Sequence, residues 1–472
     1  MRDYRGRVRR NFALALCPRR AVLAFAVAAV SACAPATPYV APSIELSDRY
    51  SVVLPVRGAE SHATWWTAFR DPSLDRLVEI GLDDGLTIES ARQRLRAAEA
   101  QSRRAGLSVS GDAALSRSTI DSGEGSQSAS LGLALDPAGR LAARIRSAEA
   151  RLGATAADLE DVRRLFVAQL VDAYIDLRYF ERLLRVQRRD LQLARFAQSV
   201  AEDRFDNGAA TRLDVLAARA DVSDAASRLP QTEAAIMGQR FRVTTLAGRV
   251  AGQSTLRFRD RPQPIPQNAA ATGVPADLLR LRPDIARAER LYAAAVSDID
   301  SARAARYPRL SLDGLISTTL GSGTSSESLA ASLTIPVFSQ PALAADVDIA
   351  KARADEALIV WRQSVLEAVE EVERHLIDLR ASHQAIAAAR QTVSLQNDRV
   401  DLVQELADSS GAATVSEIID ANQDLIQSQV NLAGISRGLA KDYVALWTAL
   451  ARPASDHAPE FAPDRLVSRG DK

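Results

Sequence analysis

Two stretches of the chain, 140–205 and 342–407, contain no proline and carry apolar residues at a steady seven-residue spacing. In the first, Ile145, Leu152, Leu159, Phe166, Ala173 and Phe180 form one series, and Leu170, Leu177, Leu184 and Leu191 form a companion. In the second, Val365, Val372, Leu379, Ile386, Val393 and Val400 repeat the pattern without a break. Sustained heptads select coiled-coil packing. At 1.5 Å per residue each helix reaches roughly 100 Å, too long for an ordinary globular core. Each stretch then meets a glycine, at Asn207-Gly208 and Ser410-Gly411, suited to a left-handed helix stop before a second helix returns. The turns between helices are therefore expected far from whatever precedes the rods.

What precedes them reads as strands: 107–117, 127–136, 308–319 and 328–338. Larger and smaller side chains alternate there, with Leu131, Leu133 and Leu135 on one face. Gly/Ser-rich loops join each pair, and the lengths match tilted membrane-spanning strands of about ten residues. Four strands cannot close a barrel, whose smallest examples have about eight. Either they form a soluble sheet, or several chains contribute to one barrel.

The chain repeats itself at an offset of about 202 residues. Leu107-Ser108-Val109-Ser110-Gly111 matches Leu310-Ser311-Leu312-Asp313-Gly314, and Ile175-Asp176-Leu177-Arg178 matches Ile377-Asp378-Leu379-Arg380. Gly208-Ala209-Ala210-Thr211 matches Gly411-Ala412-Ala413-Thr414. The first repeat is set at 73–250, with β-hairpin 107–136, long helix 140–205 and return helix 212–248. The second is set at 276–451, with β-hairpin 308–338, long helix 342–407 and return helix 414–450. A linker at 251–275 holds Pro262, Pro264 and Pro266, and 452–472 reads as a polar tail.

With 472 residues, 47% hydrophobic and 25% charged, the chain can bury a large core. Lys+Arg and Asp+Glu both number 59, so no basic surplus exists to displace counterions from nucleic acid. Two cysteines exclude a disulfide framework or a thiolate zinc site, and aromatics at 5% disfavour a stacking surface. No nucleophile motif or phosphate loop appears, so no enzyme and no cofactor are expected.

The N-terminus reads as an export signal over 1–32: an arginine-rich opening, an apolar run from Ala21 to Val30, then Ser31-Ala32-Cys33. The apolar run is short for a transmembrane helix. Val30-Ser31-Ala32-Cys33 resembles the lipobox of bacterial lipoproteins, which implies that Cys33 is acylated and opens a lipid-anchored extended segment, 33–72. An ordinary cleaved signal with Cys33 as a free thiol is the alternative.

These features together resemble the outer membrane factor family of TolC-like channels, within it the NodT-like lipoprotein branch paired with RND-type efflux systems. The carriers are Trp65-Trp66 with Phe69 and Asp71-Pro72, and Leu281-Arg282-Pro283-Asp284-Ile285. Tyr307-Pro308, Ile335-Pro336-Val337-Phe338 and Arg204-Phe205 with Gly208, Thr211 and Asp214 complete the set. Asp136-Pro137-Ala138-Gly139-Arg140 departs from the family, which usually has a tryptophan before that glycine, and Ser339-Gln340-Pro341 replaces its usual turn. The resemblance implies a mainly α chain with a small membrane β part. Three copies would build a homotrimeric 12-stranded β-barrel continued by a long α-helical coiled-coil barrel. It implies an outer-membrane, lipid-anchored conduit projecting into the periplasm and exporting drugs or other small molecules. Its implied partners are a periplasmic adaptor (membrane fusion) protein, an inner-membrane RND transporter and outer-membrane lipid. A type I protein secretion partner and a non-conducting periplasmic coiled-coil spacer are the alternatives.

The resemblance also assigns residues. Thr414 to Asp420 matches the segment whose acids, Glu417 and Asp420, line the periplasmic constriction. Such carboxylate rings favour cations and raise one another's pKa. Thr414 and Glu417 also fit a capping box, so both roles stand for Glu417. Asp214, three residues after Thr211, matches a position that ties neighbouring hairpins closed, and it too fits a cap. The tips, Gly208, Ala209, Ala210 and Thr211 with Gly411, Ala412, Ala413 and Thr414, are small and suit docking to an adaptor's helices, or simply a tight connection. Trp65 and Trp66 read as packing rather than as a membrane-interface belt. His375 and His383 read as ordinary helix residues rather than metal ligands.

Overall fold

The computed structural model describes residues 39–47, 49–51, 62–107, 109–117, 125–135, 138–252, 261–266, 282–320, 325–410 and 414–450. Cys33, the export signal, the polar tail and the tip residues Gly411, Ala412 and Ala413 lie outside them. A short 3₁₀ helix, His62–Phe69, precedes α1 (Pro72–Asp84) and α2 (Leu86–Ala105). Strands β1 (Val109–Arg117) and β2 (Gly125–Leu135) lead into α3 (Arg140–Asp206) and α4 (Arg212–Leu246). Then come α5 (Pro283–Ala304), β3 (Arg309–Leu320), β4 (Ser325–Thr334), α6 (Gln340–Ser410) and α7 (Val415–Leu450). The fold is mainly helical, with one small sheet.

Contacts group the chain into two compact units, each drawing on both sequence repeats. One comprises Met1–Pro42, Ala98–Leu152 and Arg290–Ile359, and the other Ser43–Ala97, Gly153–Glu289 and Val360–Lys472.

The first unit holds the sheet, antiparallel in the order β1-β2-β3-β4. Its register pairs Val109 with Leu133, Leu133 with Leu312 and Leu310 with Leu333, so strand alternation gathers these on one face. Ser110, Ser130, Ser311, Ser328 and Ser332 fall on the other. On the apolar face Leu131 is 60% exposed and Leu329 76%. Among the described residues, β1 and β4 each have a partner on one side only. β4 stops at Thr334, short of the expected 338, because Pro336 has no N–H to give a ladder. α6 starts at Gln340, ahead of the expected 342; Pro341 is tolerated in a first turn. Beside the sheet, α3 is tied to α5: Arg146 donates to Asp300 at 3.0 Å, and Ser147 and Arg151 both reach Asp298 at 2.7 Å.

The second unit contains the main core. The heptad positions supply it: Leu159, Phe166, Leu170 and Ala173 of α3 are buried, as are Val372, Leu379 and Ile386 of α6. Complete burial of a leucine such as Leu170 or Leu379 contributes about 1.5–3 kcal/mol. Trp65, Trp66 and Phe69 pack inward against α7, with the Phe69 ring 5.5 Å from that of Tyr443. Gly81 lets α1 approach α3, since a Cβ there would sit 2.8 Å from Leu170 Cδ2. Asp71 caps α1 by accepting from the Ser73 N–H at 2.9 Å, and Pro72 takes the first turn, where its missing N–H costs nothing.

Several charged groups inside this unit are paired. Asp176 of α3 accepts from Arg437 Nε at 2.7 Å and from Lys441 Nζ at 3.0 Å, both on α7. Fully buried Arg178 donates to Glu181 at 2.7 Å and to the Tyr174 hydroxyl at 2.9 Å. Arg240 of α4 donates to the other Glu181 oxygen at 2.9 Å. α4 continues through Pro230, an interior proline that interrupts one intrahelical bond.

Candidate functional site at the helix turns

The first turn is built by three local devices. Gly208 stands at φ 71, a backbone state that glycine adopts without a Cβ penalty. Its N–H donates to Phe205 O at 2.9 Å and the Ala209 N–H to Arg204 O at 2.7 Å, the paired bonds of a Schellman stop. Thr211 and Asp214 then cap α4. The Asp214 N–H donates to Thr211 Oγ1 at 3.3 Å, while the Thr211 N–H donates to Asp214 Oδ2 at 2.7 Å. That backbone bond, then the hydroxyl bond from Thr211, holds the Asp214 carboxyl below its ordinary range. Gly208, Ala209 and Thr211 are exposed and Ala210 half-exposed.

The second turn repeats the cap. Glu417 N–H donates to Thr414 Oγ1 at 3.2 Å, and the Thr414 N–H and hydroxyl donate to Glu417 Oε2 at 2.7 and 3.0 Å. Bonding from the Thr414 backbone, then from its hydroxyl, lowers the Glu417 pKa. Glu417 is therefore a cap as well as a candidate constriction acid. Asp420 differs: it is exposed and its carboxylate bonds to no described residue. Glu417, Asp420 and Asp424 stand at helical spacings of three and four, so all lie on one flank of α7. Asp424 pairs with Arg399 of α6, clamping the hairpin just behind the turn. Ala421, Leu425 and Val400 form a small core beside it. The Asp424–Arg399 clamp was not read from the sequence; the only signal was an acid four residues after Asp420.

The two turns thus carry three acids: Asp214 and Glu417, each held by a cap, and Asp420, left to solvent. Among the described residues no three His, Cys, Asp or Glu side chains converge as a metal site. No described helix is long and apolar enough to cross a membrane. His375 is half-buried, and burial pushes its pKa down.

The family model described as outer membrane efflux protein matches residues 77–249 and 274–452, so it spans both repeats. The chain belongs to that family. Among curated relatives it is similar to nodulation protein T of Rhizobium leguminosarum bv. trifolii, 28% identical over 443 residues, which covers 89% of this chain and 94% of that one. It is 29% identical to the pyoverdine export outer membrane protein OpmQ of Pseudomonas putida over 421 residues, 82% of this chain and 87% of the relative. The solved outer-membrane channel OprN superposes with a TM-score of 0.76 at 26% identity, covering 89% of this chain and 99% of that one. CusC shares the fold at a TM-score of 0.72 and 21% identity, over 89% of this chain and 100% of its own. The family match begins and ends within a few residues of α1 and α7, and takes in both hairpins and both capped turns.

Proposed function

We propose that the protein is the outer-membrane channel of a tripartite RND-type efflux system, a passive conduit for drugs or other small molecules. One observation carries the reading. A four-stranded sheet turns a leucine face to solvent and leaves both edge strands open, in a chain of the outer membrane efflux family. Three copies would complete a barrel of twelve strands, remove every edge and cover that face with lipid. Relatives named for pyoverdine export, antibiotic efflux and toluene efflux support the cargo class.

Within this reading Asp420 supplies the main acid of the periplasmic constriction, with Glu417 beside it, and Asp214 helps hold neighbouring hairpins together. The small tips around Gly208 and Gly411 are the docking points for a periplasmic adaptor. Cys33 carries the lipid anchor. Tyr39 stacks on Tyr292 of α5 at 6.0 Å between ring centroids. Six residues reach at most about 20 Å, and α5 runs a further 18 Å or so from Tyr292 towards β3. The anchor is therefore within reach of the membrane end of α5.

The test is electrophoretic and genetic. The protein should run as a heat-modifiable trimer from outer-membrane fractions, and its deletion should raise susceptibility to several antibiotic classes. A monomer in those fractions would refute the shared barrel. A deletion that blocks secretion of one protein, with unchanged drug susceptibility, would favour a type I secretion partner.

A further inference from the structure

Arg309 stands opposite Thr334 in the β3–β4 ladder. Strand alternation therefore puts both on the serine-bearing face, with Ser311 and Asp313, and not on the leucine face. At the helix end of the sheet lies a groove of about 640 Å³, lined by Arg309, Arg140, Arg144, Ser110, Ser311 and Thr334 and, from the leucine face, by Val109, Leu135 and Leu310. Its volume lies within the roughly 300–1,000 Å³ typical of small-molecule sites. No acid lines it. Among the described residues neither Arg144 nor Arg309 pairs with a carboxylate, and both are exposed. A second groove, of about 530 Å³, shares Ala138 and Ala304 with the first and adds Arg146, Arg303, Arg306 and Lys351. Among the described residues Asp300 is its one acid, and it is held by Arg146 at 3.0 Å and Arg303 at 3.7 Å. Among the described residues the two grooves gather seven cations against one carboxylate, in a chain of zero net charge.

We propose that Arg309, Arg140 and Arg144 form an anion-binding collar for small anionic cargo bearing carboxylate, phosphate or sulfate groups. The proposal rests on the conduit reading: polar faces of membrane strands turn inward, so a closed barrel would present the collar to its lumen. Guanidinium groups stay charged at any physiological pH, and their forked donors match planar carboxylates and phosphate oxygens. Rings of Arg or Lys favour anions in pores, as acidic rings favour cations. The conduit would then carry two filters of opposite sign, acidic at the α7 turn and basic where the strands meet the helices. Asp313 stands about 13 Å further along β3 on the same face, so an anion moving up the strands from the collar passes a repelling charge.

The experiment uses the full-length protein in planar bilayers. An Asp420→Ala background removes the constriction acid from the current. Reversal potential is measured in a KCl gradient, and sodium tripolyphosphate is added on the barrel side as the anionic probe. Changing Arg140, Arg144 and Arg309 together to Gln should shift the permeability ratio several-fold towards potassium and weaken tripolyphosphate block by roughly tenfold. Changing the same three to Lys should retain both properties, which separates charge from folding. An unchanged ratio and unchanged block in the Gln variant would overturn the collar while leaving the conduit intact. Absence of any current, from the Asp420→Ala parent onward, would overturn conduit and collar together.

Discussion

The Tyr174 hydroxyl donates to Asp71 Oδ2 at 2.5 Å, joining α3 to the cap of α1. Burial, and then this bond, push the Tyr174 pKa well above the ordinary phenol range, so it remains a donor. Arg178 donates to the same hydroxyl, which links the α1 cap to Glu181 and Arg240. Tyr174→Phe keeps the ring and removes the link. It should cost about 1–3 kcal/mol, because the Asp71 oxygen it leaves behind is buried. Thermal unfolding followed by circular dichroism checks this, and an unchanged midpoint would contradict it.

Arg282 is almost fully buried and donates to Ala449 O at 2.7 Å while bridging Asp284 and Glu371, each at 2.8 Å. It satisfies a carbonyl that the end of α7 leaves open. Arg164 does the same for Thr448 O at 2.5 Å. Arg282→Ala leaves carboxylates without their cation and should cost about 3–5 kcal/mol. Arg282→Lys, a single point charge, should recover only part of it. The temperature at which the sodium dodecyl sulfate-resistant oligomer dissociates gives the ranking.

Asp172 stands one turn before Asp176 on α3, and its Oδ1 is buried without a hydrogen bond. Burial pushes its pKa up to about 6; nearby Lys441 pulls it down and Asp176 pushes it up, with Arg242 and Arg437 as weaker opposing cations. Between the unfolded value near 4 and the folded value the native state holds an extra proton, so this group's contribution to stability improves as pH falls through that window. At neutral pH it is a charge held in a poor environment. Asp172→Asn should therefore raise the melting temperature at neutral pH, with the gain fading towards pH 4. A constant gain across that range would contradict the assignment.

The turn caps make a local prediction. Thr211→Ala and Thr414→Ala should each loosen a hairpin end by about 1 kcal/mol. Faster hydrogen exchange should appear in the first turns of α4 and α7 and nowhere along α3 or α6. Asp214 and Glu417 are held below their ordinary pKa values by these caps. They stay charged as pH falls, and the cap is lost only once pH passes below those lowered values.

Much of this was legible because its causes are local or periodic. Val365, Val372, Leu379 and Ile386 are buried where a seven-residue period places them, and Gly208 and Thr211 act through neighbours one turn away. The serine and leucine faces of the sheet follow from two-residue alternation. What the sequence hid is what joins distant segments. Asp71 meets Tyr174, Arg282 meets Ala449, and Arg399 meets Asp424, pairs fixed by tertiary packing and carrying no local signature. Arg309 was hidden differently: its role depends on which face the register gives it and on Arg140 and Arg144, far off in sequence. Strand ends were misplaced where a proline, Pro336, ended β4 early.

The most direct test of the whole account is single-channel current through the purified protein in a planar bilayer, compared with its Asp420→Ala variant. The parent should conduct weakly, and the variant, lacking the exposed acid proposed for the constriction, should conduct several-fold more. Equal currents would remove Asp420 from the constriction, and no current from either protein would contradict the conduit itself.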